Sequence, residues 1–488
     1  MTSFNSKRFH DSMIFSEAIK HIGGLRFIAE RLEIQSSAGR RMLPALPFLT
    51  QRKEIEKAMD EVEVTIQKMA EETLSPIFSL IATKLVQLRD IRATFRRIAA
   101  ESVPNDVELF EVKHFAILAA DIDILLKRAG VDFIRIPSVE KVIAILDPEG
   151  KRIPHFYIYD AYSPRLAEVR AAMSKTNDDP ARLEALRQEA ELLEDQIRAR
   201  LGGELQPKIE ALEQAFNETV RLDLLMAKAA LAQKLSLTKP TISEEKSTFE
   251  GLFHPQVKEQ LEKYGKQFQP VAIDLPPQPV LITGANMTGK SVLLKSVALA
   301  QVMMQFGFFV PARTAQIVPV DDVVLCMGDE QDEMKGLSSF AGEMLRLNRV
   351  AERVNAGEQL LVLIDELART TNPNEGMAIV SGMLDFLMEK RVRALVTTHY
   401  SLRTSCKKLR VKGFTTKSEE VFIDIKNINN YIDYSLEEVV DEQVPHEALR
   451  IAQIIGIRQE LVDRFAAYLS EIPATATEAI GKSSINNR

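Results

Sequence analysis

The chain has 488 residues with 45% hydrophobic content, enough to bury a large core divided into about two to four domains. Its formal net charge of −7 gives no general reason to expect a polyanion partner, and its only cysteines, Cys326 and Cys406, exclude a disulfide framework and a cysteine zinc site. No apolar run approaches the roughly 20 residues of a membrane span, and residues 1–8 lack the apolar stretch of a signal peptide, so we expect a cytoplasmic location and no membrane partner.

The first half of the sequence is predicted to be almost entirely helical. Apolar residues recur at intervals of three and four positions, with charges between them, in 52–72, 79–100 and 105–129. Gly130 is expected to end a helix, and 131–136 is a weak strand candidate. Two or three more helices are expected in 164–235, with breaks at 177–180 and at Gly202–Gly203.

A phosphate-binding loop is the most informative motif of the second half. Residues 284–291 fit the pattern G-x-x-x-x-G-K-[ST] between a predicted buried strand, 279–283, and a predicted helix, 292–306. In this setting backbone N–H groups and a helix N-terminus face the bound phosphates, while Lys290 supplies a positive charge and Ser291 a ligand for Mg²⁺. The pattern also occurs by chance, but its position between strand and helix favours a nucleotide site. The predicted nucleotide-binding residues of this loop are Gly284, Ala285, Asn286, Met287, Thr288, Gly289, Lys290 and Ser291.

Two carboxylates end a second aliphatic run. Residues 359–366 read Gln-Leu-Leu-Val-Leu-Ile-Asp-Glu, which is typical of a strand buried on both faces of a parallel sheet. Downstream of a phosphate loop, Asp365 is predicted to bind Mg²⁺ together with Ser291, and Glu366 to orient or deprotonate the attacking water. The alternative for either carboxylate is a solvated strand end.

Two other segments lie at useful positions. Residues 393–400 form another predicted buried strand with a polar end, so His399 should lie at the strand's carboxyl end, where ligands of open α/β sheets collect. The alternative for His399 is a capped or core histidine. Residues 328–344 are predicted to be a polar loop leading into a helix, with Ser338 or Ser339 as its cap.

Taken in order, these segments resemble the ATPase domain of the MutS family. The resemblance runs from about residue 268 to about 469. It rests on Thr-Gly-Ala-Asn-Met-Thr-Gly-Lys-Ser at 283–291, Phe-Val-Pro-Ala at 309–312, Ser-Ser-Phe at 338–340 with Glu-Met at 343–344, Leu-Ile-Asp-Glu at 363–366 and Thr-His-Tyr at 398–400. It implies a P-loop ATPase of the ABC class that uses ATP and Mg²⁺. It also implies a homodimer, or a heterodimer with a paralogue, in which each subunit completes the other's nucleotide site.

The resemblance assigns further roles to individual side chains. Ser338 matches the signature serine that reaches the γ-phosphate bound to the partner subunit, and His399 matches the switch histidine. Together with Glu366 these are the predicted catalytic residues. Phe268 falls where the family places an aromatic ring against adenine, and the alternative is an ordinary core phenylalanine.

The sequence also departs from the family pattern. Ala-Arg-Thr-Thr at 368–371 replaces the usual Gly-Arg-Gly-Thr after the two carboxylates, and His-Glu-Ala at 446–448 replaces a Ser-x-Gly near the C-terminus. Losing both glycines restricts a loop that the family places at the dimer interface. ATP turnover is therefore better supported than the family's conformational signalling.

The helical half resembles the MutS lever region, through Ser-Ser-Ala-Gly-Arg-Arg-Met-Leu at 36–43 and Leu-Asp-Leu-Leu-Met-Ala-Lys-Ala at 222–229. The predicted fold class is mixed, an all-α lever/core domain followed by an α/β P-loop ATPase domain. The predicted domains are 1–250, with a short helical arm at about 163–205, then 251–470, then a polar tail, 471–488, expected to be disordered. Residues 147–150 and 163–166 resemble more the paralogue branch without a mismatch-reading domain, so we expect a short paralogue that lacks the mismatch-recognition, connector and Smr domains.

Charge bears on whether the arm grips DNA. Residues 163–205 hold seven Lys or Arg against nine Asp or Glu, and a slightly acidic arm neutralises phosphates poorly. A helix with Lys84, Arg89, Arg92, Arg96 and Arg97 could touch a polyanion, but a solvated face is the better interpretation because the five residues do not form one stripe.

Three hypotheses follow. The first is a dimeric, ATP-gated, DNA-binding clamp of mismatch-repair or recombination type. The second is an ATP-driven remodelling partner of a protein or ribonucleoprotein client that does not bind DNA. The third is a non-enzymatic switch that binds ATP without turnover.

Overall fold

Helices occupy the first part of the chain, and helices combined with sheets occupy the second. The computed structural model describes residues 13–153, 155–176, 179–284, 288–327, 339–369, 371–400, 402–414, 431–439, 449, 452–453 and 456–471. Within these ranges, none of the helices combines the length and the hydrophobicity that a membrane span requires. The mixture of helix and sheet agrees with the α/β domain that the sequence predicts.

The helical part contains eleven helices within the described residues. They are α1 (Phe15–His21), α2 (Leu25–Arg31), α3 (Ser37–Met42), α4 (Arg52–Ala70), α5 (Ser75–Leu85), α6 (Arg92–Ala99), α7 (Asp106–Arg128), α8 (Glu140–Leu146), α9 (Pro164–Met173), α10 (Pro180–Leu205) and α11 (Ile209–Lys234). Helix α7 begins with a capping box, because the Asn105 side chain accepts a hydrogen bond from the Glu108 N–H and the Asn105 N–H donates to the Glu108 carboxylate. Gly130 follows α7 at φ +63°, as expected for a residue that ends a helix.

Three local predictions in this part are wrong. The helix expected over 79–100 is interrupted between α5 and α6. Gly202 and Gly203 do not break α10; Gly202 instead allows a close approach, since a Cβ there would lie 2.7 Å from Pro104 Cδ. Residues 131–136 form no strand, because side chains of α11 satisfy this backbone: Arg221 donates to the Phe133 carbonyl and the Arg135 N–H donates to Glu218.

The short arm is a hairpin of α9 and α10. Ser163 caps α9 by accepting from the Leu166 N–H at 3.3 Å, and Asp179 caps α10 by accepting from the Arg182 N–H at 3.1 Å. Arg165 joins the two helices by an ion pair with Glu189 at 2.7 Å. The arm is thus a packed surface hairpin laced by ion pairs.

The sheets begin after α11. Their strands are β1 (Thr241–Ile242), β2 (Ser247–Leu252), β3 (Val271–Leu275), β4 (Pro279–Thr283), β5 (Thr314–Ile317), β6 (Asp322–Cys326), β7 (Leu360–Ile364), β8 (Arg393–Thr397), β9 (Lys407–Phe414) and β10 (Ile432–Glu438). The accompanying helices are α12 (Pro255–Lys263), α13 (Lys290–Gln305), α14 (Ser339–Asn355), α15 (Pro373–Glu389) and α16 (Gln459–Glu471). The predicted boundary at residue 250 falls within β2, since the last helix of the first part ends at Lys234 and the first strand starts at Thr241.

One sheet has the order β1-β5-β2-β3, and the other has the order β10-β9-β4-β8-β7-β6. In the six-stranded sheet every pairing is parallel except β10 with β9. Ile282 of β4 pairs with Thr397 of β8, and Val396 pairs with Ile364 of β7. The three segments that the sequence singled out therefore leave neighbouring strands at the same edge.

The six-stranded sheet is covered on both faces. Val280, Ile282 and Leu363 pack into a core shared with α13 and the helical part. Leu281, Val362 and Val396 pack on the opposite face, against a core that includes residues of α14 and α15. This double burial explains why β4, β7 and β8 read as continuous aliphatic runs.

The far end of α13 is anchored in the helical part. The Phe306 ring lies 5.1 Å from that of Phe15 and 5.4 Å from that of Phe48, both edge-to-face. The Leu49 N–H donates to the carbonyl of Gln305 at 2.7 Å, and Lys228 of α11 donates to the carbonyl of Phe306 at 2.7 Å. The C-terminal end of α13 is thus held by contacts with α1, α11 and the segment before α4.

Candidate nucleotide site

The described residues of the loop between β4 and α13 include two glycines with positive φ. Gly284 has φ +145° and Gly289 has φ +82°, conformations that an L side chain rarely adopts. Gly289 caps α13, which starts at Lys290, so the helix N-terminus opens onto the loop. Thr288 is 2% exposed and lies within the loop. Ala285, Asn286 and Met287 lie outside the described residues.

Lys290 directs its ammonium group into the loop. The side chain is 4% exposed, and its Nζ donates to the carbonyl of Gly284 at 2.7 Å. Nζ also lies 3.9 Å from Oε1 of Glu366. The predicted phosphate-binding cation and the predicted water-orienting carboxylate therefore face the same space. Ser291 follows on the first turn of α13 and is partly buried.

One hydroxyl group holds both carboxylate residues at the end of β7. Thr397 is fully buried, and its Oγ1 donates to Asp365 Oδ1 at 2.7 Å while accepting from the Glu366 N–H at 2.9 Å. The Asp365 N–H donates to the carbonyl of Cys326 at 2.9 Å, which ties the segment to β6 as well. Asp365 is therefore fixed beside the strand that leads to His399.

The loop after Asp365 has an unusual backbone. Glu366 has φ +48° and Ala368 has φ +59°, and neither is glycine. A left-handed conformation costs an L residue about 1–2 kcal/mol, so surrounding contacts must hold the loop. Arg369 donates to Glu366 Oε2 at 3.1 Å and thereby contributes to the position of that carboxylate. Ala368 stands where the family has a glycine, and it adopts the conformation that glycine would favour.

His399 lies two residues beyond β8 with an exposed side chain. Partial desolvation lowers its pKa, while the Glu366 carboxylate opposes this shift and Lys290 and Arg369 add to it. These influences place the imidazole among the groups around the phosphate loop. A lowered pKa keeps the ring neutral at pH 7, able to donate from one nitrogen and accept at the other.

Phe268 is partly buried and packs against the core shared with the helical part. The next residue, Gln269, donates to Asp433 Oδ1 at 2.8 Å and accepts from the Tyr434 N–H at 3.0 Å. The Tyr434 ring in turn lies close to the loop, since a Cβ on Gly289 would be 3.1 Å from its Cδ1. Phe268 is therefore linked to the loop only indirectly. Its neighbour Gln269 bonds to Tyr434, and the Tyr434 ring lies beside Gly289.

The described residues suit a nucleotide with a metal ion shared between protein and phosphates. No group of three or more His, Cys, Asp or Glu side chains in the part of the chain that the structure describes could hold a metal by itself. Asp365 and Ser291 are oxygen donors of the kind that Mg²⁺ prefers, and Mg²⁺ commonly takes its remaining ligands from phosphate and water. The buried Lys290 ammonium supplies a positive charge of the kind that a phosphate requires.

Comparison with known proteins gives a family for this part of the chain. Residues 280–473, from β4 to just beyond α16, match the family model of MutS domain V. This match supports membership of the MutS family. Residues 284–291, Asp365, Glu366 and His399 all lie within the segment that matches MutS domain V.

Curated relatives match a longer stretch. An endonuclease MutS2 of Thermus thermophilus is 34% identical over 295 residues, covering 59% of this chain and 37% of that protein. An endonuclease MutS2 of Carboxydothermus hydrogenoformans is 30% identical over 261 residues, covering 51% and 31%. A DNA mismatch repair protein MutS of Staphylococcus aureus is 29% identical over 306 residues, covering 60% and 33%. The chain spans about a third of the length of these curated relatives.

Three residues next to the site were given no role in it by the sequence analysis. Thr397 lies in a run of two threonines before His399, where the alternation along β8 gave no reason to choose it. Tyr434 is on β10, which reaches the loop only through the order of the sheet. Glu343 of α14 accepts a hydrogen bond from the Ala368 N–H at 3.0 Å. Ser338, the predicted signature serine, lies outside the described residues.

Proposed function

We propose that this chain is a Mg²⁺-dependent ATPase of MutS type that acts as a dimeric, ATP-gated, DNA-binding clamp. The observation that carries the proposal is the convergence of Lys290, Asp365 and Glu366 at one edge of a parallel sheet. Lys290 reaches back to Gly284 at 2.7 Å, Asp365 is fixed by Thr397 at 2.7 Å, and Glu366 lies 3.9 Å from the lysine. The match to MutS domain V supports the same conclusion.

In the proposed reaction each residue has a separate task. The N–H groups of the loop 284–291 and the Lys290 ammonium bind the β- and γ-phosphates. Ser291 and Asp365 would hold Mg²⁺, which would supply positive charge to neutralise the charge developing on the phosphate oxygens. Glu366 accepts a proton from, or orients, the attacking water, and the neutral His399 imidazole hydrogen-bonds to the γ-phosphate. We propose that Phe268 binds the adenine, with Tyr434 on its other side.

The dimer enters the proposal through Ser338. We propose that Ser338, from the second subunit, closes the site over the γ-phosphate, so that turnover requires two chains. Ser338→Arg is then expected to abolish turnover without changing nucleotide binding by the isolated subunit. Loss of turnover and binding together would contradict a shared site.

Hydrolysis itself is tested by Glu366→Gln. The wild-type chain should release phosphate steadily from ATP with Mg²⁺, and Glu366→Gln should bind ATP with similar affinity but release almost none, because the amide cannot accept the water proton. The third hypothesis, a switch without turnover, is supported instead if the wild-type chain binds ATP but releases no phosphate. Equal rates in both proteins would remove Glu366 from the mechanism.

DNA as the client rests on the relatives, among them a mismatch repair protein and endonucleases by their names. We propose binding to duplex, branched or mismatched DNA between two copies of the helical part. A filter-binding assay should give an affinity that falls steeply with salt, since phosphate contacts release counterions. An affinity that is absent, or unchanged between about 50 and 200 mM salt, would contradict DNA binding.

One observation favours the alternative, a protein or ribonucleoprotein client. Five arginines of the arm lie within 4.0 Å of carboxylates, which leaves their charge largely compensated: Arg165, Arg170, Arg187, Arg198 and Arg200. Three members of the basic helix region are also paired, Lys84 with Asp121, Arg92 with Asp90 and Arg97 with Glu108. Purification of a Glu366→Gln dimer with its bound partner would separate the two clients, because the closed state should retain it.

A further inference from the structure

The backbone of Ala368 is held from both sides by side chains of two different elements. Its N–H donates to Glu343 Oε1 of α14 at 3.0 Å, and its carbonyl accepts from the Tyr400 hydroxyl at 2.9 Å. Ala368 is fully buried and Tyr400 is 8% exposed, so water competes poorly for either bond. We call these two hydrogen bonds, with the residues Glu343, Ala368 and Tyr400, the loop clasp.

The clasp acts on a strained segment. Glu366 and Ala368 both have positive φ, and such a backbone persists only where its surroundings determine it. The Thr397 hydroxyl fixes the start of the loop at the Glu366 N–H, and the clasp fixes it two residues later. The Glu366 carboxylate is carried between these two fixed points.

Gly376 of α15 makes room for the clasp. A Cβ on Gly376 would clash with the Tyr400 hydroxyl oxygen and would lie 2.7 Å from its Cζ, so only glycine lets the phenol reach Ala368. Burial raises the pKa of Tyr400, and the nearby charge of the Glu343 carboxylate raises this pKa further. The hydroxyl therefore stays protonated and remains a donor.

The two side chains of the clasp come from segments next to predicted catalytic residues. Helix α14 begins at Ser339, directly after Ser338, and Tyr400 directly follows His399. The clasp thus ties the segment that would serve the partner subunit's nucleotide to the segment that holds this subunit's Glu366. A movement of either segment acts on the backbone of the same residue, Ala368.

We propose that Glu343 and Tyr400 are positioning residues that set the Glu366 carboxylate for hydrolysis by holding the left-handed peptide at Ala368. The proposal rests on the ATPase activity proposed above. Neither residue is assigned to phosphate or metal binding. Loss of the clasp should therefore slow turnover while leaving the binding of ATP almost unchanged.

Four variants test the proposal by steady-state phosphate release and ATP titration. Tyr400→Phe removes only the hydroxyl, and Glu343→Ala removes the carboxylate. Gly376→Ala displaces the phenol while leaving both the Tyr400 and the Glu343 side chains chemically unchanged. Each should lower kcat roughly tenfold, the effect of one lost hydrogen bond, with KM for ATP changed less than about twofold. Glu343→Gln keeps an oxygen acceptor and should recover most of the lost kcat.

The matched control is Gly382→Ala, on the same helix α15, where a Cβ would meet nothing within 4 Å. It should keep wild-type turnover, and thermal unfolding of each variant shows whether the fold is intact. If the wild type hydrolyses ATP but Tyr400→Phe and Gly376→Ala both match Gly382→Ala, the clasp has no positioning role. If the wild type releases no phosphate, the proposed function fails instead. A parallel rise in KM and fall in thermal midpoint would show a merely structural role and also overturn the proposal.

Discussion

Replacing Thr397 by valine tests whether both carboxylate residues depend on one hydroxyl. Valine has nearly the same shape, so the fully buried site should keep its packing. The Asp365 carboxylate would lose a donor at 2.7 Å and the Glu366 N–H an acceptor at 2.9 Å. A bond to a charged group contributes at least about 1.5 kcal/mol, and an N–H left without an acceptor costs about 1 kcal/mol or more. Together they amount to about 2.5 kcal/mol.

If this energy is lost mainly from the orientation of the two carboxylates, kcat falls by somewhat less than about 100-fold. Phosphate release under saturating ATP and Mg²⁺ measures this change in kcat. Thr397→Ser, which keeps the hydroxyl, is the control. The serine variant should stay within about threefold of wild type. Equal kcat values and equal thermal midpoints for the valine and serine variants would refute the reasoning, since they would show that another group supports the carboxylates.

Three other predictions concern the rest of the molecule. Lys113 Nζ lies 3.0 Å from Oδ1 of the buried Asp147, so Lys113→Met would leave that carboxylate without its ion-pair partner. The thermal midpoint should drop by several degrees, reflecting a loss of about 3 kcal/mol, and an unchanged midpoint would contradict this prediction. Gly289→Ala combines φ +82° with a Cβ 3.1 Å from the Tyr434 ring and should weaken ATP binding at least about tenfold by titration. Burial lowers the pKa of Lys228 from 10.5 to about 8, so the unfolded chain binds more protons between these values. The stability of the wild type relative to Lys228→Met should therefore rise by about 1 kcal/mol per pH unit above pH 8. The difference between the two thermal midpoints should then change between pH 7.5 and 9.5, and a constant difference would exclude this pKa shift.

The elements around the phosphate loop could be predicted because their signals are local. A strand buried on both faces must be a continuous aliphatic run, and β4, β7 and β8 each are. The loop pattern also requires its strand before and its helix after. The common edge of the sheet then brings 284–291, Asp365 and His399 together without further information.

What the sequence did not reveal depends on contacts between distant segments. Thr397 matters because β8 lies between β4 and β7, an order that no periodicity encodes. Gly202 looks like a helix break, yet its role is set by Pro104, about a hundred positions away. Tyr434 reaches Gly289 only because β10 pairs with β9 and Gln269 binds its backbone. Side-chain hydroxyls and close approaches of this kind carry no sequence period.

Helix α13 spans 16 residues, and at 1.5 Å per residue it is a rod about 24 Å long. One end carries Lys290, and the other is gripped by Phe15, Phe48 and Lys228. Pivoting such a rod by about 5° would move its Lys290 end by about 2 Å, which exceeds the tolerance of an ammonium–phosphate hydrogen bond. Under the proposed function, a small angular change at the helical part would therefore be enough to make or break the contact of Lys290 with a phosphate, and the same geometry would work in reverse.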